Sequence, residues 1–217
     1  MKIGILGSGR MGATLGRLWA KAGHVPIFSY SRCTNKLETL SRETGGEHAS
    51  VAETVAGADV LLLAVHWSQI EDVLEQAGDL DGKIILNCCV PLNDSDTELV
   101  IGTTNSGAET LAEWRSEARW VACFNTCPSE SLDVVFSRRE QSDRPHLLTY
   151  GDDPGAKDTA KALIRDIGFE PLEAGGLHTA RFVEPFAMVT AELAYGQPGG
   201  AELIYQFSRL DRDGNRI

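Results

Sequence analysis

The residues with the clearest chemical meaning are three glycines near the start of the chain. Gly7, Gly9 and Gly12 are spaced as GxGxxG, directly after the apolar run Lys2–Leu6 and directly before an amphipathic segment of helical period. Glycines at this spacing allow a tight turn and the close approach of a pyrophosphate, whose charge meets free N–H groups at the helix N-terminus. The motif therefore predicts a dinucleotide-binding site. A glycine-rich turn without a ligand is the alternative reading.

The end of the second apolar run indicates which dinucleotide is bound. NAD-binding folds usually place an Asp or Glu at this point, against the ribose hydroxyls. The residues here are Ser29-Tyr30-Ser31-Arg32, with no carboxylate, and Lys36 follows. Ser31, Arg32 and Lys36 offer a hydroxyl and two cations where a 2′-phosphate would lie, so we predict NADP rather than NAD. The alternative is that Arg32 and Lys36 simply begin a solvated helix.

Side chains for acid–base or nucleophilic catalysis are not arranged in any recognisable motif. The sequence has no Ser-His-Asp order, no H-E-x-x-H and no well-placed lysine for a carbonyl substrate, so we predict no catalytic side chain. His66 follows the third apolar run and should face the cofactor crevice, although a packed, hydrogen-bonded histidine is an equal alternative. Trp67 beside it either stacks on a ring or caps the sheet.

Four cysteines could converge near the same crevice. Cys88 and Cys89 end one predicted strand, and Cys123 and Cys127 flank the end of its predicted neighbour. Their spacings match no zinc-ligand pattern, adjacent cysteines on a strand cannot both point inward, and buried cysteine commonly behaves as a small hydrophobe. We therefore predict no metal site, and leave a redox-sensitive thiol pair as a minor alternative.

The candidate site residues are positioned by predicted strands and helices. In the sequence, short apolar runs alternate with segments of helical period. The pattern predicts an α/β fold of the Rossmann type, a doubly wound and mostly parallel sheet with a small C-terminal α/β extension. We assign the dinucleotide-binding domain to residues 1–145 and the extension to residues 146–217. The predicted strands are Lys2–Leu6, Val25–Tyr30, Asp59–Val65, Lys83–Cys88, Trp120–Phe124 and His146–Tyr150, with a short extended piece at Phe169–Glu173.

Helices are predicted between these strands, each bounded by Gly, Ser, Asn or Asp signals. They span Met11–Ala22, Asn35–Thr44, Ser68–Ala77, Ala108–Trp114, Gly155–Ile167 and Thr179–Tyr195. The polar stretch Phe136–Arg144 is expected to be an exposed loop. The apolar segment Ala201–Phe207 must pack on something, either as a tail helix on its own subunit or across a dimer contact.

Composition and charge narrow the class of partner. The 217 residues are 42% hydrophobic and 24% charged, and carry a formal net charge of −11. Such an acidic chain is a poor partner for nucleic acid or an anionic membrane, and no apolar run approaches the length of a membrane span. Five cysteines without a regular framework suggest reduced thiols and a cytoplasmic location. The first acidic residue is Glu38, so the N-terminal segment is locally basic.

Several later segments, together with the glycine motif, carry a resemblance to a known family. They are Ser31-Arg32 with Lys36, Ala64-Val65-His66-Trp67, Phe124-Asn125-Thr126, Gly151-Asp152-Asp153 with Ala156-Lys157, and Ala174-Gly175-Gly176-Leu177 through Ala180-Arg181 and Glu184. With them the chain resembles the NADP oxidoreductases that use the deazaflavin coenzyme F420. This Rossmann family is related to the cytosolic reductase domains of membrane ferric reductases.

The resemblance implies roles for individual residues. It assigns Ser8, Gly9, Arg10 and Met11 to the pyrophosphate, Ser31, Arg32 and Lys36 to the 2′-phosphate, and Val65, Val90 and Ala122 to the ribose and nicotinamide side. It also implies a homodimer with a second cofactor laid over the nicotinamide. The sequence departs from the family at Asn87-Cys88-Cys89-Val90-Pro91-Leu92, which leaves the second substrate open.

Three functions are compatible with these observations. The first is hydride transfer between NADP(H) and a deazaflavin (F420) or flavin-type acceptor. The second is NADPH-dependent reduction of another small acceptor, such as a ferric chelate or a carbonyl compound. The third is a non-catalytic NADP-sensing module. The glycine motif and the cations fit all three, because the fold specifies the dinucleotide better than the acceptor.

Overall fold

Eight strands and eight α-helices account for most of residues 1–215, which are the residues that the computed structural model describes. The strands are β1 (Lys2–Leu6), β2 (Val25–Ser29), β3 (Glu47–His48), β4 (Val60–Leu63), β5 (Ile84–Asn87), β6 (Arg119–Cys123), β7 (His146–Gly151) and β8 (Glu170–Glu173). The helices are α1 (Arg10–Lys21), α2 (Thr34–Thr44), α3 (Val51–Gly57), α4 (Ile70–Ala77), α5 (Gly107–Trp114), α6 (Ser129–Ser137), α7 (Pro154–Ile167) and α8 (Ala180–Ala191).

All eight strands form one sheet in the order β3-β2-β1-β4-β5-β6-β7-β8. Every neighbouring pair is parallel except β6 and β7, which are antiparallel. The strand order reverses between β1 and β4, and in such sheets a crevice opens at the carboxyl ends of the strands at that point. The predicted α/β Rossmann fold is confirmed. The division at residue 145 stays a prediction, since β7 continues the same sheet.

The helices cover the two faces of the sheet in equal numbers. Apolar residues of α1, α2, α6 and α7 pack on one face, and those of α3, α4, α5 and α8 pack on the other. The central strands are buried on both sides, as their continuous apolar runs indicate. Pro26 is the second residue of β2 and lies before the point where β3 begins to pair with β2. Its missing N–H donor therefore costs the sheet no hydrogen bond on that side.

Two helices and one strand lie outside the elements that the sequence pattern predicts. Helix α3 begins at a capping box, in which Ser50 Oγ accepts from the Glu53 N–H and the Glu53 carboxylate accepts from the Ser50 N–H. Helix α6 begins directly after Pro128, and its last residues overlap the stretch expected to be a loop. Strand β3 has only two residues, too few for any period to show.

The C-terminal segment Ala201–Phe207 contains no helical residue, so the tail-helix alternative is wrong. The segment is hydrogen-bonded to the rest of the chain. The His146 N–H donates to the Tyr205 carbonyl at 3.0 Å, and the Leu148 N–H donates to the Tyr205 hydroxyl at 3.1 Å. The Tyr205 hydroxyl also lies 2.7 Å from Thr126 Oγ1. Tyr205 thus anchors the segment beside the sheet, and a further contact with a second copy stays a prediction.

Candidate functional site

A groove of about 1090 Å³ runs along the carboxyl ends of β1, β2 and β4. It lies where the strand order reverses, which is where open α/β sheets bind their ligands. Eight of the residues predicted to bind the cofactor line it: Gly7, Ser8, Gly9, Ser31, Arg32, Lys36, Val65 and His66. The groove therefore brings together, from three separate loops, most of the site that the sequence predicts.

The glycine turn between β1 and α1 has the shape that a pyrophosphate requires. Gly7 has a positive φ of 112°, and a Cβ there would lie 2.3 Å from the Ala64 carbonyl oxygen. A Cβ on Gly12 would lie 2.0 Å from the Gly7 carbonyl oxygen, so both positions require glycine.

Gly9 is different, because a Cβ there would meet no protein atom within 4 Å. Gly9 is also the N-cap of α1, and its helix has no side-chain cap. The protein thus leaves open space in front of an uncapped helix N-terminus. This arrangement fits an anionic phosphate group.

The end of β2 forms a positively charged corner of the groove. Tyr30 has a positive φ of 57°, which turns the chain sharply before Ser31. The Cys33 N–H donates to Ser31 Oγ at 3.2 Å, so a local turn holds this hydroxyl at the groove. Arg32 and Lys36 are exposed and form no ion pair within residues 1–215. Two cations without carboxylate partners suit a group with nearly two negative charges.

The remaining predicted residues lie outside the groove lining. The Arg10 guanidinium turns away from the groove and forms an exposed ion pair with Glu130 at 3.0 Å. Met11 and Val90 are half-buried, and Val90 lies just beyond the end of β5. Ala122 lies within β6 and is 0% exposed, between Asn87 of β5 and Tyr150 of β7. Its side chain offers no surface to a ligand, so a role on the nicotinamide side would act only through packing.

His66 is held in one orientation by its neighbours. The Ser68 N–H donates to His66 Nδ1 at 3.2 Å, which makes this nitrogen an acceptor in the neutral ring. Nε2 then carries the proton and lies 3.2 Å from the Asn93 carbonyl and 3.1 Å from Asp96 Oδ1. The histidine therefore ties the end of β4 to the loop after β5, in agreement with the packed alternative, while still lining the groove.

A tyrosine–carboxylate pair that lines the groove has no counterpart among the predicted site residues. The Tyr30 hydroxyl donates to Asp72 Oδ2 at 2.5 Å, and Gln76 Nε2 donates to the same oxygen at 3.0 Å. Burial and the hydrogen bond with Asp72 raise the pKa of Tyr30 to about 12. Ile70, Val73 and Leu74 form the buried face of α4. The helical period therefore places Asp72 beside that buried face. What the sequence does not indicate is that this face meets β2.

The cysteines lie close together but behave as buried thiols. The chain leaves β5 at Asn87, and the thiols of Cys88 and Cys89 both donate to the Leu63 carbonyl, at 3.2 and 3.4 Å. Cys88 packs on the face that α1, α2, α6 and α7 cover, and Cys89 packs on the opposite face, so adjacent cysteines still alternate beyond the end of β5.

The environment of Cys88 and Cys127 raises the pKa of both thiols. The hydrogen bond with Cys89 and burial raise the pKa of Cys88, and burial raises that of Cys127 to about 12. Within residues 1–215, no three His, Cys, Asp or Glu side chains are grouped as metal ligands. Absence of a bound metal stays a prediction for elemental analysis.

Comparison with known proteins agrees with this geometry. The model of the family described as "NADP oxidoreductase coenzyme F420-dependent" matches residues 2–91. The structure of a candidate F420-dependent NADP-reductase from Arthrobacter sp. FB24 superposes with a TM-score of 0.85 at 25% identity, covering 96% of this chain and 100% of that one. The resemblance predicted from the sequence is confirmed.

Two further relatives differ in the acceptor that their names imply. Metalloreductase STEAP3 of Rattus norvegicus is 28% identical over 84% of this chain, which spans only 36% of that protein. An imine reductase from Aspergillus terreus, in complex with NADPH4 and dibenz[c,e]azepine, superposes with a TM-score of 0.66 at 20% identity. That match covers 88% of this chain and 61% of the imine reductase, and it shows the fold alone. The proteins that this chain resembles thus differ in the acceptor that their names imply.

Proposed function

We propose that this protein transfers hydride between NADP(H) and a deazaflavin (F420) or flavin-type acceptor. The observation that carries the proposal is the composition of one groove, in which an open glycine turn lies beside the cations of Arg32 and Lys36. The family model that matches residues 2–91 and the structural relative from Arthrobacter support the same cofactor and acceptor.

The two phosphate groups and the nicotinamide each have residues that would lie beside them. Ser8, Gly9 and the N-terminus of α1 would take the pyrophosphate, and Ser31, Arg32 and Lys36 would take the 2′-phosphate. Val65 lines the groove beyond the turn, on the side toward β5 where we place the nicotinamide. NADP(H) supplies or accepts the hydride when it is bound.

The protein contributes position more than acid–base chemistry. His48, His66 and Asp72 line the groove, and each is engaged by other protein atoms. None of the three is placed as a free acid or base. A reaction between two rings needs their reacting carbons held a short distance apart and shielded from water, which rigid walls provide. We assign no catalytic side chain.

A second candidate function is reduction of a ferric chelate or a carbonyl compound by NADPH. The similarity to the metalloreductase over 84% of the chain favours the ferric alternative. A flavin is the intermediate case, since it is a ring acceptor that can pass electrons singly to iron. A non-catalytic NADP sensor would have the same groove but would not transfer hydride to any acceptor.

Oxidation of NADPH under anaerobic conditions, followed by its near-ultraviolet absorbance, separates these functions. The acceptors are coenzyme F420, FMN, FAD, a ferric chelate and a panel of carbonyl compounds, each also tested with NADH. We expect turnover with NADPH and with F420 or a flavin, and much slower turnover with NADH. Turnover with the ferric chelate alone would replace the proposal with the second function. Tight NADPH binding without turnover of any acceptor would favour the sensor.

We also propose a homodimer and a cytoplasmic location. Phe182, Val189 and Leu193 are 69%, 51% and 50% exposed and fall at positions i, i+7 and i+11, on one side of α8 and the turn after it. A row of exposed apolar side chains commonly marks a protein interface. None of the helices within residues 1–215 is long and apolar enough to cross a bilayer.

A further inference from the structure

Glu184 is a buried carboxylate that the proposed function leaves unexplained. It lies in α8 and is 1% exposed. Its two oxygens accept hydrogen bonds from the backbone N–H groups of Gly107 at 2.9 Å and Ala108 at 3.0 Å, the first two residues of α5. Burying a carboxylate to this degree destabilises the folded state unless strong hydrogen-bond or ion-pair partners compensate.

The partners of Glu184 are the free N–H groups at a helix N-terminus, where negative charge is favoured. Burial raises the pKa of Glu184 to about 7, and the neighbouring charge of Glu109 also raises it. The two backbone hydrogen bonds lower the pKa, but by less. Arg181, one turn earlier on α8, forms a two-point ion pair with Glu109, at 2.7 and 2.8 Å. Helix α8 therefore holds the first turn of α5 at two places.

The first turn of α5 is packed against two residues that follow the predicted nicotinamide side. A Cβ added at Gly107 would lie 3.0 Å from Pro91 Cδ, 3.1 Å from Trp67 Cζ3 and 3.2 Å from Glu184 Oε1. Trp67 comes two residues after Val65, which lines the groove, and Pro91 comes directly after Val90. Trp67 in turn stacks on Trp114 at the other end of α5, with ring centroids 6.3 Å apart. These contacts leave no free space at Gly107. A shift of α5 would therefore also shift Trp67 and Pro91.

We propose that Glu184 is a positioning residue, which holds the first turn of α5 against Trp67 and Pro91 and thereby fixes the segments that carry Val65 and Val90, where the acceptor ring would face the nicotinamide. The inference rests on the proposed function, because it assigns the second substrate to this side of the groove. It makes Glu184 responsible for acceptor affinity, while the cofactor groove around Arg32 and Lys36 is independent of it.

The test uses the full chain with Glu184→Ala, Glu184→Gln and the control Thr190→Val. Thr190 is a buried polar residue of the same helix whose hydroxyl donates only within α8, to the Ala187 carbonyl at 2.9 Å. Three quantities are measured: amide hydrogen exchange of the first turn of α5 in the ligand-free protein, the dissociation constant of NADPH, and the dissociation constants of F420 and FMN in the presence of NADP⁺. Thermal melting confirms that each variant is folded.

We expect Glu184→Ala to speed amide exchange at Gly107 and Ala108, because these two buried N–H groups lose their hydrogen-bond partner. The affinity for F420 or FMN should fall by about tenfold or more. The dissociation constant of NADPH should stay within about threefold. Glu184→Gln should restore part of the acceptor affinity, since its amide oxygen still accepts one N–H. Thr190→Val should match the wild type. If Glu184→Ala does not fold, Glu184→Gln carries the comparison.

Two results would overturn the inference. Faster exchange with unchanged acceptor affinity would make Glu184 a purely structural cap, and equal loss of NADPH and acceptor would remove its selectivity for the acceptor side. If the wild type binds neither F420 nor FMN, the proposed function fails on its own. The near-ultraviolet circular dichroism of the stacked Trp67 and Trp114 then decides, because an unchanged spectrum in Glu184→Ala would show that the position of Trp67 does not depend on Glu184.

Discussion

Replacing Arg32 by alanine tests the charged corner at the end of β2. Arg32 is exposed and forms no ion pair within residues 1–215, so its removal leaves no buried partner behind. The fold should be unaffected, since exposed substitutions of this kind usually change stability by about 0.5 kcal/mol or less. Any loss of affinity then reports on the ligand alone.

The size of the expected effect follows from the contacts that remain. A hydrogen bond to a charged group contributes about 1.5 to 3 kcal/mol, and the exposure of Arg32 argues for one such contribution in place of several. The Arg32→Ala variant should therefore bind NADPH about tenfold to a hundredfold more weakly. Lys36 and Ser31 remain in place, so binding is not abolished. NADH lacks the 2′-phosphate and should bind almost as before.

Calorimetric titration of both cofactors into the wild type and Arg32→Ala provides the measurement. Arg42→Ala is the matched control, because Arg42 is an exposed arginine of α2 whose partner is Glu38, outside the groove. Raised salt should reduce the preference of the wild type for NADPH. Equal loss of NADH and NADPH in Arg32→Ala, or a wild type that prefers NADH, would refute the assignment of this corner to the 2′-phosphate.

Three further perturbations test the turn, the buried carboxylate and the dimer. Gly9→Val should lose both NADPH and NADH in a binding titration and keep its melting temperature, since a Cβ there meets no protein atom; binding like the wild type would contradict the phosphate role. Because burial raises the pKa of Glu184 to about 7, the folded state holds this proton more tightly than the unfolded state. Unfolding free energy should therefore fall by on the order of 3 kcal/mol between about pH 4.5 and 7, and chemical denaturation of Glu184→Gln should show this fall removed. Leu193→Glu should turn a dimer into a folded monomer in light scattering, and a monomeric wild type would contradict the dimer.

The parts of the fold and site that follow local rules are predictable from the sequence. The glycine spacing, the strand before it and the residues after β2 all lie within about 30 residues in a βαβ unit, where the chain path is nearly fixed by its geometry. The order of residues along this unit is therefore enough to assign Ser31, Arg32 and Lys36 to the groove. Even α3 carries a local signal, since Ser50 and Glu53 have the spacing of a capping box.

The parts that depend on distant contacts are not predictable in this way. Ala122 is buried on the face that α3, α4, α5 and α8 cover, and no periodicity in β6 reveals which helices will cover it. Tyr30 meets Asp72 only because α4 packs beside the end of β2. Glu184 and Gly107 are 77 residues apart, so no local spacing in the sequence predicts their hydrogen bond. These contacts arise from packing of whole elements, which pattern reasoning does not reach.

Transfer of deuterium from NADPH to the acceptor tests the central claim most directly. NADPH with deuterium at both C4 positions of the nicotinamide is mixed with the protein and F420 under anaerobic conditions, and the reduced acceptor is analysed by mass spectrometry. A carbon–deuterium bond does not exchange with water, so the account predicts one deuterium retained in the reduced deazaflavin for each NADPH oxidised. A flavin would show NADPH oxidation with the label lost, because the receiving nitrogen exchanges its hydrogen. NADPH left unoxidised by F420 and by flavins would contradict the account.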